Sequence, residues 1–296
     1  MTRNTYIFWA LLTALAPMIW GSTYIVTSEL LHPNSPLTAS TLRALPAGLI
    51  LVLAHCALPV AHWWGRLILL SFLNIGFFFY CLFFAATHLP GGMAALVMAI
   101  GPLFVMGLSY FLLGSQLIFK HIVASFLALL SMALLLFNNQ VTLNINGILV
   151  GLLGTISMAL GIVLSKRWGR PTGMTLLNFT GWQLLLGGLM LLPVAYWVEG
   201  VPDSFNVNNI FGYTYLSVVG AMVAYAIWFN GISKLPAITL SFLGFLSSVT
   251  AVFLGYVFLD QTLTLGQWIG TVGIFITIIL SSPQIIQSTH TNRKIL

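Results

Sequence analysis

Acidic side chains are almost missing from this sequence: four Asp and Glu stand against ten Lys and Arg in 296 residues, and charged residues make up 5% of the chain. A soluble domain carries about 25%, so a chain this poor in charge could not cover its own surface in water. Cysteine is scarce too, and Cys56 and Cys81 sit in apolar stretches that suggest neither a disulfide framework nor a zinc site. The sequence has no nucleotide-binding glycine loop, no metal-ligand cluster and no nucleophile–base pair. It is therefore not expected to be an enzyme, and no cofactor or metal is predicted. The formal charge of +6 comes in ones to threes between apolar runs, not as the basic face that nucleic acid requires, and no nucleic-acid partner is expected.

What is abundant is apolar sequence, at 59%. The lipid bilayer accepts such an exterior, and crossing it takes about 20 mostly apolar residues in a helix. On that measure the spans fall at roughly 6–29, 35–56, 65–87, 91–113, 119–137, 146–165, 173–197, 209–232, 236–259 and 264–283. The class is all-α integral membrane, with ten transmembrane helices. The first run, Tyr6 to Val26, matches a full span and not a cleavable signal core. Short connections such as His32-Pro33-Asn34 and Asn138-Asn139 make successive helices antiparallel neighbours and leave no room for a soluble domain.

With the amino terminus inside, the inner segments hold Arg3, Arg66, Lys120, Lys166, Arg167, Arg170, Lys234, Arg293 and Lys294, and the outer loops hold no basic residue. Cytoplasmic loops are the basic ones, so both termini are expected in the cytoplasm. The tenth basic residue, Arg43, lies within the second span.

The chain also aligns with itself. At a shift of 146, His88-Leu89-Pro90 falls on Lys234-Leu235-Pro236, and at a shift of 140 Arg43 falls on Gln183 and Gly48-Leu49 on Gly188-Leu189. Residues 6–137 and 146–283 thus read as two five-helix repeats, and because five is odd the second copy enters the membrane inverted. Inverted repeats characterise secondary transporters, whose substrate site lies near the midplane between the copies. Gly147/Gly151 and Gly266/Gly270 have the four-residue spacing of close helix contacts. Packing within one chain is the plainer role for them, and the protein is expected to be a monomer or homodimer.

Several segments resemble a known family. Ile19-Trp20-Gly21-Ser22-Thr23-Tyr24, Leu42-Arg43-Ala44 and Leu89-Pro90-Gly91-Gly92 are similar to the EamA family of the drug/metabolite transporter superfamily. Lys166-Arg167-Trp168-Gly169-Arg170-Pro171, followed by Trp182-Gln183, resembles its PecM-like branch. The resemblance implies ten helices, cytoplasmic termini and a central cavity opening alternately to each side. It also implies pigment and metabolite efflux, and the expected function is export of a small neutral or zwitterionic metabolite (amino-acid-like, pigment or drug-like) across the inner (plasma) membrane by alternating access. Two departures stand out. Asp260 occupies a place where such proteins more often have Glu. Pro102 aligns with Ser248, where they usually repeat the proline, so the ninth span has no proline reason to bend like the fourth.

Depth selects the candidate substrate-binding residues, since a midplane site draws on the middle of each span. These are Trp20, Arg43, Phe78, Ser157, Gln183 and Ser248, with Tyr24, Asn74, Met98 and Tyr225 slightly off centre. Pro102, which removes a mid-helix hydrogen bond, is the candidate gating hinge. Two roles fit Arg43: a counter-charge for a substrate carboxylate, or a structural donor to helix carbonyls. Glu29, Glu199, Asp203 and Asp260 all map to the outer side, which argues against a buried carboxylate as proton carrier. The sequon Asn178-Phe179-Thr180 lies inside a span and is discounted. Beside a transporter, exporting or importing, a non-transporting membrane sensor or assembly partner fits the composition less well, because it would need a longer soluble tail or loop.

Overall fold

The computed structural model describes residues 2–31, 35–89, 93–116, 118–136, 144–202, 204–258 and 262–282. All regular structure among them is helical. The elements are α1 (Arg3–Leu30), α2 (Pro36–His55), α3 (Ala61–Ala85, continuing to His88), α4 (Ala95–Leu113, starting at Met93) and α5 (Phe119–Leu136). They continue with α6 (Ile145–Trp168), α7 (Leu176–Glu199), α8 (Val207–Lys234), α9 (Ala237–Phe258) and α10 (Leu265–Ser281). Among the described residues nine are long and apolar enough to cross a bilayer, and α10 is a shorter apolar helix of 17 residues. Helix starts are set by Thr2, Asn144, Thr175, Asn206 and Thr264, whose side chains accept from backbone N–H groups of the first turn. α6 runs on to Trp168, beyond the expected end at 165, because Lys166 and Arg167 suit the negative end of the helix dipole.

The exterior is more apolar than parts of the interior. Phe111 is 81% exposed and Phe119 77%, while Thr180 and Gln183 are wholly buried. That inversion suits a chain whose surroundings are hydrocarbon.

The four most extensive helix pairings run antiparallel. α2 and α7 meet along their lengths: Glu199 joins the start of α2 at Thr38, and Asn178 donates to the Ala57 carbonyl at the other end. Between them the contact is reciprocal. Gly48 lies on the backbone of Leu185, and Gly188 lies on the backbone of Leu45. Side chains at either glycine would hold the helices apart. α5 pairs with α10, where Gly270 packs on the backbone of Ser131 and Leu135 and Lys120 Nζ donates to the Ser282 carbonyl. α1 pairs with α8 and α3 with α6. Gly147 and Gly151 pack on Leu89 and Ala85, so both glycine pairs are used within the chain.

These pairings sort the helix ends onto two faces. Arg3, Arg66, Lys120, Lys166, Arg167, Arg170 and Lys234 lie on the face where α1 begins, and Glu29 and Glu199 on the opposite face.

Four helices are irregular. α3 widens to a π-helical turn at Phe72–Gly76 and α8 at Val218–Val223. The shift of 146 carries the first turn onto the second. α4 is interrupted between Met98 and Gly101, and α9 between Leu243 and Leu246, within one residue of the equivalent place. Pro102 therefore does not kink a continuous helix; it sits in the first turn of a new segment, where its missing N–H costs nothing. α9 breaks as well, although it has Ser248 in place of the proline. Gly244, a poor helix former, stands at its break, where Phe245 N donates to Phe242 O and Ser247 N to Gly244 O in tight three-residue turns.

Candidate functional site

A π-helical turn spaces its hydrogen bonds five residues apart and marks functional positions in many helices. In α8 the turn presents the carbonyl of Gly220 to two donors from other helices. Trp20 Nε1 donates to it at 3.0 Å and Arg43 Nη2 at 2.9 Å. Aromatic rings surround the guanidinium, whose carbon lies 5.4 Å from the Phe79 ring centre and 6.0 Å from that of Tyr225. The Trp20 ring packs on Tyr225 at 4.9 Å and on Trp228 at 5.2 Å. Arg43 is 8% exposed. A cation buried at this depth costs at least about 2.5–3.5 kcal/mol on insertion scales. The carbonyl and two ring faces, at about 0.5–2 kcal/mol per ring, offset that cost.

The turn in α3 builds a second polar cluster. Asn74 Nδ2 donates to Gln183 Oε1 at 3.0 Å, with Ser165 Oγ at 3.4 Å, and Ser157 Oγ donates to the Leu73 carbonyl at 2.9 Å. Gly161 makes room for Asn74, since a side chain there would occupy the place of Asn74 Oδ1.

Of the sequence-selected residues, the structure thus gathers Trp20, Arg43 and Tyr225 into one cluster and Asn74, Ser157 and Gln183 into another. Phe78 is half-buried beside Phe79, at 5.8 Å between rings. Met98 packs near Gly154 of α6. Ser248 is buried just past the α9 break and Pro102 just past that of α4; neither joins the polar contacts of the two clusters. The Tyr24 side chain, Pro90–Gly92, Asp203 and Asp260 lie outside the described residues. Asn178 is fully buried, which removes it as a glycosylation acceptor. Glu29 lines a shallow groove with Ile25, Val26, Leu30 and Phe258 at the end of the bundle, away from both clusters.

Sequence reasoning missed Gly220, Phe79, Trp228, Ser165 and Gly161. Three had a signal: the shift of 146 carries Asn74 to Gly220 and Phe79 to Tyr225, and the shift of 140 carries Gly21 to Gly161. Glu199 falls beyond the expected span of 173–197. It ends α7, and its carboxylate accepts from Leu37 N and Thr38 N, each at 2.7 Å, and from Thr38 Oγ1 at 2.8 Å.

The model of the EamA-like transporter family matches twice, over residues 7–137 and 145–282. The chain is 46% identical over 265 residues to Protein PecM of Dickeya dadantii, covering 90% of this chain and 89% of that protein. It is 24% identical to the uncharacterized transporter YvbV of Bacillus subtilis, covering 92% and 90% respectively. It is 28% identical to the uncharacterized inner membrane transporter YedA of Escherichia coli, covering 89% and 87%. A crystal structure 18% identical in sequence superposes with a TM-score of 0.77 over 95% of this chain and 97% of its own, which establishes a shared fold.

Proposed function

Because this chain belongs to the EamA-like transporter family, within the drug/metabolite transporter superfamily of multi-pass membrane proteins, we propose that it exports small metabolites by alternating access. The observation that carries this reading is the convergence of Trp20 and Arg43, from the first match to the family model, on the Gly220 carbonyl of the second. A polar node joining two halves at mid-membrane is where an alternating carrier holds its substrate. Inversion of the second repeat, 146–283, against the first, 6–137, is supported by α2 and α7. These helices hold equivalent places in the two repeats and run antiparallel. The clustering of basic residues on the face where α1 begins supports cytoplasmic termini.

The node favours substrates with an anionic group and a planar apolar body, which fits amino-acid-like, pigment and drug-like compounds. In the loaded state the substrate's acidic group takes the guanidinium from Gly220. Rings of Phe79, Tyr225 and Trp228 supply flat apolar faces for the remainder. Glu29 and Glu199 stand at the ends of their helices, so coupling through a mid-membrane carboxylate is not part of the reading.

The test is efflux from reconstituted vesicles loaded with a metabolite panel, with and without a proton gradient. Export of carboxylate-bearing compounds with little dependence on the proton gradient is expected. Absence of any flux would favour a sensor or assembly role, and accumulation from outside an importer.

A further inference from the structure

Gln183 is wholly buried, and while its Oε1 accepts from Asn74, its Nε2 has no hydrogen-bond partner. Buried donors in native structures are nearly always paired, with protein, water or ligand. Leaving one unpaired in a low-dielectric interior is costly. An apolar residue would fill the same volume without that cost. The amide is also held in place on purpose-built surroundings: Asn74 fixes its oxygen, Ser165 lies beside Asn74, and Gly161 leaves the space that Asn74 needs.

The position of Gln183 is informative. The reciprocal contacts of Gly48 with Leu185 and of Gly188 with Leu45 centre the α2–α7 crossing near residues 46–47 and 186–187. Arg43 lies three to four residues from that centre toward the start of α2, and Gln183 as far toward the start of α7. The helices are antiparallel, so the two side chains stand on opposite sides of the centre. At 1.5 Å per residue they are on the order of 10 Å apart along the helix axes.

We propose that Gln183, positioned by Asn74, is a second substrate-binding station on the side of the bundle where α1 begins, and that its free amide N–H groups take an uncharged acceptor, a carbonyl or hydroxyl oxygen. This rests on the transport reading above. A substrate entering from that side meets Gln183 first and Arg43 second. The first station sorts by hydrogen-bond acceptors and the second by charge.

The test uses vesicles loaded with a defined mixture of carboxylates of matched size, with and without a further hydroxyl or carboxamide group, with efflux of each compound read by mass spectrometry. Two variants are compared with the unmodified chain. Gln183→Met removes the donor; Asn74→Leu breaks the same internal hydrogen bond but keeps the donor. The expected result is that Gln183→Met lowers efflux of the carboxylates that carry the further acceptor about tenfold relative to those that lack it, the weight of one hydrogen bond. Asn74→Leu, which keeps the donor but no longer holds the amide in place, should weaken the same preference less than Gln183→Met does. If both variants lower every compound alike, the cluster is structural or holds only an ordered water, and the proposal is overturned. Selective loss of the carboxylates that lack the acceptor contradicts it too. If the unmodified chain exports nothing, the transport reading falls, and this inference with it.

Discussion

Arg43 and Gln183 hold equivalent places in α2 and α7, and each reaches the π-helical turn of the opposite half: Arg43 bonds the Gly220 carbonyl in α8, and Gln183 accepts from Asn74 in α3. The shift that pairs Arg43 with Gln183 is 140, and the one that pairs Asn74 with Gly220 is 146. The two contacts are therefore one interaction built twice with different chemistry. One version carries a charge and a bare backbone acceptor; the other is neutral and made of side chains.

The α2–α7 seam depends on glycine. A methyl group at Gly188 would lie 2.8 Å from Leu45 Cβ and 2.9 Å from its Cα and N, so backbone would have to move. Overpacking of this kind costs about 1–3 kcal/mol. Gly188→Ala should lower the melting temperature by several degrees in detergent. Gly107→Ala, where nothing lies within 4 Å, should leave it unchanged or raise it slightly. Equal melting of the two variants would mean that the seam is looser than described.

Glu199 acts as a clasp between the end of α7 and the first turn of α2. Hydrogen bonds to a charged group contribute about 1.5–3 kcal/mol net. Glu199→Ala should melt markedly lower than the unmodified chain, and Glu199→Gln, which keeps one acceptor oxygen, should fall between. A wild-type melting curve for the alanine variant would remove the clasp.

Topology can be read directly. Cysteine-labelling or reporter fusions at Arg170 and at Gly200 should place the first in the cytoplasm and the second outside. Finding Arg170 outside would reverse the bundle, and the direction assigned to the two stations with it.

Much of this was legible from the residues alone. The helices, their approximate limits and the twofold repetition follow from apolar run lengths and from the match of Gly48-Leu49 with Gly188-Leu189. Arg43 stood out because a lone cation in a span is costly. Gly220 did not stand out, because a backbone carbonyl has no sequence signature; only its alignment with Asn74 pointed to it. The break in α9 was missed for a similar reason. A proline signals its own effect, whereas Gly244 is one of 27 glycines and acts only where packing lets the helix stop. Depth in a span could not separate Ser248 or Met98 from Trp20, because depth carries no information about facing.

The node at Arg43 is tested most directly by efflux and melting measured together on Arg43→Gln. Gln183 occupies the equivalent place in the second half, so glutamine is a side chain this fold already holds there. The variant should insert and melt close to the unmodified chain, and should lose carboxylate-bearing substrates by roughly ten- to a hundredfold, the weight of a charge-assisted hydrogen bond of about 1.5–3 kcal/mol, while neutral substrates are spared. A variant that melts far lower and loses all substrates alike would assign Arg43 to holding the Gly220 carbonyl for the fold, and would contradict its role in binding.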